Sequence, residues 1–470
     1  MGKQNIKPDI TLIYPGIATC GFGQVGKSQS GEVNWIHHGL ASIGAQLKNK
    51  GYNVHLIDMR TLNSWGDFNK VIENLKTDII GISISNPDFK IAKKSIKIIK
   101  KIKPSTKIIV GGLNPTIFYN EYKNFNDVDH VVVGEGEITF PKIVQAIETG
   151  APIEKFNKGE KPNLDELLWV DRELFDYSRE LNCHYVPDQK PPTVTMIAGR
   201  GCIYQCTYCQ PAESLTYGKP YRMRSPQNVI AELRMLKDTY NFNSITFWDD
   251  TFTLNPKWIF EFCDLYEKEK FNATIAACSR ADIICRNEDM VKRLSEIGLD
   301  WFMIGFESGS QRILDLIKKG TTVEQNYKSA DICRKYGIKI LASFMFGLPT
   351  ETKEDQIATA KLIMDTKPEH PSPFYFLPIK GTEIYDLCVE KNLIPEGFDP
   401  FNIERTGVYK PGIKGMDYKF LDKLRMKVMG IEKRTIPYRL LGLIRHPSRI
   451  IPAAKRIAKT YIINRIKSPQ

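Results

Sequence analysis

The feature that most constrains the fold of this chain is an alternation of short β-rich runs with helical patterns, which occurs in two series. The first series extends from Ile10 to about Gly150. Its apolar runs are ITLIYP, NVHLID, TDIIGISIS, TKIIVGG and HVVVGEGE, and its helical stretches include His37–Asn49 and a Lys/Ile-rich run from Ile91. This alternation is typical of a parallel sheet with helical crossovers. It predicts an α/β chain whose first domain, residues 1–150, is a doubly wound parallel sheet.

The second series begins after a charged, Pro-punctuated segment, residues 151–191, which predicts a linker. Each of its strands except the last is followed by a helical pattern, such as Pro226–Tyr240. The strands are expected near Thr193–Ile197, Ser244–Trp248, Ala273–Ala277, Trp301–Phe306, Ile338–Phe346 and Phe374–Leu377. Six such units are two short of a closed (β/α)8 barrel, so residues 192–390 predict a partial, TIM-like (β/α)6 barrel. Residues 391–470 are expected to be a mainly helical C-terminal extension.

Small residues stand at the predicted strand ends of the first, Rossmann-like domain. They are Ser83, Ser85, Gly111, Gly112, Gly134 and Gly136. Ligands of open α/β sheets bind outside the carboxyl ends of the strands, where small side chains let a ligand approach the backbone. We therefore expect these loops to form the floor of a binding site.

The basic charge of the chain is concentrated at its C-terminus. The net charge is +12, and residues 433–470 hold ten Lys and Arg without any Asp or Glu, which leaves only +2 for the rest. Apolar residues in this segment follow a helical stripe at Ile450, Ala454, Ile457, Ala458 and Tyr461. The pattern predicts a basic amphipathic helix that contacts a membrane surface. A helix that packs back on the barrel is the alternative.

No window reaches the roughly 18 to 20 apolar residues of a spanning helix, and residues 1–11 lack the apolar core of a signal peptide. We therefore expect a cytoplasmic protein, peripheral at the membrane through residues 433–470. Ten cysteines in 470 residues are too dilute for a disulfide scaffold. Three of them are crowded within eight positions, which points to a metal site.

These three cysteines form a C-x3-C-x2-C array, Cys202, Cys206 and Cys209, in the sequence GRGCIYQCTYCQ. Three thiolates on one loop suit three irons of a [4Fe–4S] cluster and leave the fourth iron open to another ligand. A structural zinc site is the alternative, but it usually needs four protein ligands, and no nearby His or Cys supplies the fourth.

This loop, with Tyr208 before its third cysteine and six β/α units around it, resembles the radical S-adenosylmethionine (SAM) enzymes. In that family the open iron binds SAM, which is cleaved to a 5′-deoxyadenosyl radical. The resemblance places further SAM contacts at the ends of the following strands. Asp249 and Asp250 are the candidates for the amino group, Ser279 and Arg280 for the carboxylate, Glu307 for the ribose hydroxyls and Gly347 for the adenine. Singly, each has another explanation, such as a helix cap, a salt bridge or an exposed loop acid.

The first domain resembles the cobalamin-binding domain that precedes the barrel in cobalamin-dependent radical SAM enzymes. The resemblance implies that Ser83, Ser85, Gly111, Gly112, Gly134, Glu135 and Gly136 contact cobalamin. One signature is missing, because no histidine stands in a D-x-H-x-x-G motif, so no lower cobalt ligand is assigned. Loss of cobalamin from this domain is the alternative.

Gly21–Ser28 (GFGQVGKS) matches the phosphate-loop pattern G-x4-G-K-[ST]. That pattern requires a strand directly before it, whereas PGIATC intervenes here, and no magnesium-binding Asp follows an apolar strand downstream. We therefore treat nucleotide binding as a minor alternative.

The combined resemblance is to the branch of the anaerobic magnesium-protoporphyrin cyclase and related methylases. It implies methylation of an unactivated carbon through a 5′-deoxyadenosyl radical and methylcobalamin, with a flavodoxin or ferredoxin as electron donor. A non-methylating cyclisation, dehydrogenation or C–C coupling is the rival. The basic tail favours a lipid-like substrate. Nucleic acid is not an expected partner, because RNA-modifying methylthiotransferases carry three further N-terminal cysteines and here Cys20 is alone in that domain.

Overall fold

The computed structural model describes residues 7–26, 34–209, 221–401 and 412–430. The chain divides into two compact units, Met1–Met416 and Asp417–Gln470. Both predicted α/β domains belong to the first unit, and the described part of the second contains the helix Tyr418–Val428. The predicted amphipathic helix from Ile450 lies outside the described residues.

The first sheet has six parallel strands, which confirms the doubly wound prediction. They are β1 (Ile10–Tyr14), β2 (Val54–Asp58), β3 (Ile79–Ser83), β4 (Lys107–Gly111), β5 (His130–Val133) and β6 (Phe156–Lys158). Their spatial order is β2-β1-β3-β4-β5-β6. The order reverses between β1 and β3, and such a reversal leaves a crevice at the carboxyl ends of the two strands.

Helices cover both faces of this sheet. They are Ile17–Cys20, His38–Asn49, Trp65–Asn74, Phe89–Ile102, Leu113–Ile117 and Thr139–Thr149. Leu12 belongs to the apolar cluster on one face, with Leu40, and Ile13 belongs to the cluster on the other, with Phe68. A strand covered on both faces reads as a continuous apolar run, which is why ITLIY is buried at every position.

The second sheet starts with β7 (Thr193–Met196) and is also parallel. After it, β8 (Gly199–Arg200) and β9 (Arg222–Met223) form a separate antiparallel pair around the cysteine loop. The remaining strands are β10 (Ser244–Phe247), β11 (Thr274–Ser279), β12 (Leu299–Glu307), β13 (Lys339–Phe346) and β14 (His370–Tyr375). Among the described strands, β7 and β14 are the two edges, in agreement with a partial barrel.

Helices follow each strand of the second sheet. They are Pro226–Tyr240, Pro256–Glu269, Ala281–Arg286, Glu288–Glu296, Gln311–Leu316, Val323–Lys335, Lys353–Thr366 and Glu383–Glu390. The first begins where predicted, because the Ser225 side chain accepts from the backbone N–H of Asn228 and a proline starts the helix. The helix after β14 was not predicted from the sequence.

Residues 151–191 are more ordered than the linker prediction implied. Strand β6 pairs with β5, and the short helix Tyr177–Leu181 follows. Arg172 makes a buried ion pair with Glu232 at 2.6 Å, and Val186 packs against Trp301 in the second sheet. The composition of this segment did not indicate this order, because the order depends on contacts with both domains and not on local residue types.

None of the described helices combines the length and the apolar character that crossing a membrane requires.

Candidate active site

A cavity of about 580 Å³ lies between the strand ends of the first sheet and the beginning of the second domain. All seven residues predicted to contact cobalamin line it, namely Ser83, Ser85, Gly111, Gly112, Gly134, Glu135 and Gly136. From the second domain, the stretch Ile197–Gly201, together with Trp248 and Asp250, lines the same cavity. The cavity therefore extends from the first sheet to the residue before Cys202.

The floor of the cavity, formed by the strand-end loops of the first sheet, exposes glycine backbone and an amide donor that has no protein partner among the described residues. Gly112 has a φ of 98°, and a Cβ there would lie 3.0 Å from the carbonyl oxygen of Ile84. The buried Asn86 accepts a 3.0 Å hydrogen bond from Asn114, while its own Nδ2 has no partner among the described residues. Buried amide donors are normally satisfied. A corrinoid, whose rim carries amide groups, fits this floor.

His37 also lines the cavity, although no sequence motif indicated a role for it. Its Nδ1 accepts a hydrogen bond from the backbone N–H of Leu40 at 3.0 Å, and its Nε2 lies 3.1 Å from Ser83 Oγ. Burial lowers the pKa of His37 to about 4, so the ring is neutral. With Nδ1 as acceptor, Nε2 carries the proton and donates to Ser83. Both ring nitrogens are thus engaged, which agrees with the missing cobalt-ligand motif.

Glu135, a predicted cobalamin contact, also takes part in ion pairs between the two domains. It lines the cavity, but its buried carboxylate pairs with Arg200 at 2.8 Å and with Arg222. Burial raises the pKa of Glu135, and the charge of Arg200 opposes this. Arg200 also pairs with Glu137 at 2.7 Å. These pairs connect the first domain to the strands β8 and β9 beside the cysteine loop.

The cysteine loop is tied to the barrel through its backbone. The N–H of Thr207 donates to the carbonyl of Ile317 at 2.9 Å, and the carbonyl of Thr207 accepts from Ile384 at 3.0 Å. Cys209 N–H donates to the carbonyl of Cys206 at 3.0 Å, which forms a tight turn. Cys202 and Cys206 are half-buried and Cys209 is exposed.

The cysteine loop provides three thiols, the number that a [4Fe–4S] cluster with one open iron takes from the protein. Within the described residues, no three His, Cys, Asp or Glu side chains are close enough to hold one metal ion, and this includes the three loop cysteines. In a cluster each cysteine binds a different iron, so the sulfurs stand farther apart than around one ion. Three thiols on one short loop beside a cavity are the donor set that such a cluster needs.

Glu307 is buried rather than an exposed loop acid. Its Oε1 accepts hydrogen bonds from Lys319 Nζ and Tyr208 Oη, each at 2.9 Å. Lys319 Nζ also donates to Tyr208 Oη at 3.1 Å. This triad attaches the cysteine loop to β12, so the predicted ribose ligand is already paired. Lys319 was not identified from the sequence.

The backbone around Glu307 is specialised. The register of β12 against β13 shifts between Gly305 and Glu307, and Glu307 has a left-handed φ of 61°. A Cβ on Gly305 would lie 2.1 Å from the Glu307 carboxylate, so a larger residue there would displace the Glu307 side chain from its present position. Bulges and left-handed non-glycine residues concentrate at functional sites.

Arg280, the candidate for the SAM carboxylate, is held from several sides. Its Nε donates to Asp282 at 3.0 Å, its Nη2 donates to the carbonyl of Lys319 at 2.5 Å, and its guanidinium lies 3.4 Å from the ring centroid of Tyr204. Its Nη1 lies 4.0 Å from Cys206 Sγ. Arg280 is thus both part of a salt bridge and a cation beside the cysteine loop.

The two aspartates after β10 separate in the structure. Asp249 is buried and accepts the backbone N–H groups of Ala198 at 3.0 Å and Gly199 at 2.5 Å. Burial raises its pKa to about 7. Asp250 is exposed and lines the cavity, and its charge adds to the effect of burial in raising the pKa of Cys202. Asp250 is therefore the better placed of the two for a ligand.

The remaining SAM candidates are parts of rigid loops. Ser279 is buried, and its Oγ lies 2.7 Å from Thr253 Oγ1. Gly347 has a φ of 78°, and its N–H donates to Glu351 Oε2 at 2.5 Å. Glu351 Oε1 is buried and finds no partner among the residues that the structure describes. Burial raises the pKa of Glu351 to about 7. Glu351 was not identified from the sequence, although it lies four residues after Gly347.

The phosphate-loop pattern does not have the required setting. The helix Ile17–Cys20 stands between β1 and the glycines, where a phosphate loop would directly follow a strand. Lys27 and Ser28 lie outside the described residues.

Two family models match this chain. The B12 binding domain matches residues 30–144, and the radical SAM superfamily matches residues 196–363. The chain carries a radical SAM domain, and a B12-binding domain precedes it. These domains imply a [4Fe–4S] cluster, SAM and cobalamin as cofactors of this enzyme.

Curated relatives and a solved structure agree with this assignment. An uncharacterized methyltransferase of Pyrococcus horikoshii is 29% identical over 76% of this chain and 79% of its own length. The anaerobic magnesium-protoporphyrin IX monomethyl ester cyclase of Rubrivivax gelatinosus is 25% identical over 80% of this chain and 70% of its own.

The solved structure is that of OxsB, a cobalamin-dependent SAM radical enzyme with aqua-cobalamin and SAM bound. It superposes with a TM-score of 0.62 at 18% identity, over 83% of this chain. This chain spans 56% of the length of OxsB. At this identity the likeness shows the fold.

Proposed function

We propose that this enzyme transfers a methyl group to a carbon of an organic substrate. The observation that carries the proposal is a cavity lined both by the strand ends of the cobalamin-binding domain and by Gly201 and Asp250 beside the cysteine loop. An unactivated carbon has no lone pair for polar methyl transfer, so the chemistry must come from cofactors. When bound, the cluster and SAM supply a carbon-centred radical, and cobalamin supplies the methyl group.

The chain itself would bind and orient these groups. Cys202, Cys206 and Cys209 would hold three irons, and Asp250 and Arg280 would face SAM. Asn86 Nδ2 and the bare backbone at Gly112 would hold the corrinoid rim. Closing a substrate between the two domains would exclude water from the radical.

The partial reactions test the proposal without a known substrate. The full chain is reconstituted anaerobically with iron, sulfide and hydroxocobalamin, desalted, and given SAM and dithionite. We expect about four irons per chain, a corrinoid spectrum that survives desalting, and formation of both S-adenosylhomocysteine and 5′-deoxyadenosine. A Cys202/Cys206/Cys209→Ala variant should lose the irons and the 5′-deoxyadenosine. Retained cofactors with 5′-deoxyadenosine alone would contradict methyl transfer. Replacing dithionite by flavodoxin or ferredoxin tests these proteins as the electron donor.

A non-methylating reaction is the second candidate, because one relative is a cyclase. A cyclase of this type needs the radical but no methyl donor. It predicts 5′-deoxyadenosine without S-adenosylhomocysteine in the same assay, so one experiment separates the two reactions.

A further inference from the structure

A short segment of the predicted linker forms one wall of the cavity. We call residues 164–170 the strap. Five apolar side chains of the strap line the cavity, namely Leu164, Leu167, Leu168, Trp169 and Val170. No cofactor contact was predicted for any of them.

The strap is fixed to the barrel at the start of the helix Pro226–Tyr240. The Asp165 carboxylate accepts the N–H of Ser225 at 2.8 Å, and the Asp165 carbonyl accepts from Asn228 Nδ2 at 3.2 Å. Trp169 Nε1 donates to Asn228 Oδ1 at 3.3 Å. The indole of Trp169 therefore has a defined orientation at the cavity.

The strap is also fixed to the cobalamin-binding domain at its C-terminal end. The N–H of Asp171 donates to the carbonyl of Ala41 at 3.1 Å, and the Asp171 carboxylate pairs with Lys48 at 2.6 Å. The strap thus joins both domains beside the cavity, and these contacts fix its two ends and the Trp169 indole.

Two large apolar side chains in this cavity remain exposed. Leu168 is 42% exposed and Trp248 is 39% exposed. The Trp248 ring is held edge-on against Tyr185, with centroids 5.3 Å apart. Trp248 stands two residues before Asp250, the cavity carboxylate beside the cysteine loop. Fixed apolar groups that remain exposed inside a polar-floored cavity mark a ligand surface.

The floor and the wall of the cavity suit different ligands. The floor carries the hydroxyl of Ser83, the unused donor of Asn86 and bare glycine backbone, which suit the amide rim of a corrinoid. The wall offers hydrocarbon and indole surface, which suits neither the amides nor the phosphate of cobalamin. The apolar parts of the cofactor are the competing occupant, and the corrinoid content of the wall variants distinguishes the two.

We infer that the strap and Trp248 form the substrate-facing wall, and that the substrate presents a hydrocarbon or aromatic surface to it. The inference rests on the proposed function, because it assigns the floor of the cavity to cobalamin. It names the substrate class that this site takes.

Binding of a simple hydrocarbon probe tests the inference. Anaerobic holoenzyme, loaded with cluster and hydroxocobalamin, is dialysed to equilibrium against radiolabelled 1-dodecanol, with radiolabelled glucose as the polar counterpart. We expect saturable binding of dodecanol at about one per chain and no saturable binding of glucose. Leu168→Asn should weaken dodecanol binding by about tenfold or more, since it removes apolar contact area.

Matched variants keep the result interpretable. Ile357→Asn changes another exposed aliphatic side chain, 51% exposed and outside the cavity lining, and should leave dodecanol binding unchanged. Trp248→Thr tests the wall independently of the strap and should also weaken binding. Iron and corrinoid are counted in every sample.

The outcomes separate the inference from the proposed function. Fully loaded wild type that binds no dodecanol, or equal binding by wild type and both wall variants, would overturn the inference and leave methyl transfer standing. Loss of corrinoid from the Leu168→Asn variant would also overturn it, because the strap would then be a cofactor wall. Failure of the wild type to retain corrinoid would instead remove the proposed function on which the inference rests.

Discussion

The cobalamin-binding floor of the cavity and the surroundings of the cysteine loop are built in opposite ways. On the cobalamin-binding side, the predicted contacts are mostly bare backbone, and the buried Asn86 keeps a donor unused. On the cysteine-loop side, the predicted ligand groups are already paired, since Glu307 binds Lys319 and Arg280 binds Asp282. The cobalamin-binding side therefore keeps backbone surface and a polar donor available for a ligand. On the cysteine-loop side, the charged groups already have partners within the protein.

This difference predicts which substitutions should lower folding stability and which should weaken ligand binding. Buried charges must be paired, and removing one partner leaves the other charge without compensation. Changes on the cysteine-loop side should therefore cost folding stability first. A buried donor that no protein group uses does not stabilise the fold, so its replacement should affect ligand binding first.

The largest effect is expected for Lys319→Met. The Lys319–Glu307 pair is buried, with side-chain exposures of 7% and 8%, so the change leaves a buried carboxylate without its cation. We expect the free energy of unfolding to fall by about 3–5 kcal/mol, measured as a lower urea midpoint of the full chain by circular dichroism.

The neighbouring lysine provides the control for this prediction. Lys318 pairs with Glu383, but their side chains are 55% and 61% exposed. Lys318→Met should cost less than about 1 kcal/mol. Equal urea midpoints for the two variants would show that the triad of Tyr208, Glu307 and Lys319 does not stabilise the fold.

A smaller effect is expected from Glu351, whose pKa is raised to about 7 by burial. Because the folded state holds the proton more tightly than the unfolded state, this group stabilises the fold most at low pH. Its contribution is lost as pH rises from about 4.5 to about 7, by up to about 3 kcal/mol. Glu351→Gln should remove this part of the pH dependence, measured from urea unfolding curves between pH 5 and 8.

The fold was predictable from the sequence because its signals are local. The apolar runs predicted every strand of the two six-stranded sheets except β6, which lies at an edge of the first sheet. The cysteine spacing located the loop. The pairings at the site were not predictable, since Lys319 meets Glu307 only after β12 bulges, and Glu135 meets Arg200 across a domain boundary. The charge and proline content of the strap predicts a linker, because the contacts that order the strap are made with residues far from it in sequence.

The smallest effect is expected on the floor, from Asn86→Asp. This change keeps the oxygen that Asn114 binds and replaces the unused Nδ2 donor by a second oxygen. Because it also places a carboxyl group at a position that is 1% exposed, the urea midpoint of the variant is measured beside its corrinoid affinity. If that donor serves the corrinoid, its loss should raise the Kd for hydroxocobalamin by about tenfold, measured by equilibrium dialysis. Asn74→Asp changes an exposed asparagine on the helix Trp65–Asn74 and should leave that Kd unchanged. Unaltered corrinoid affinity in the Asn86 variant would mean that the floor does not bind the amide rim. The contrast between the two sides would then fail at the floor of the cavity, because a donor left unused by the protein would have no part in ligand binding.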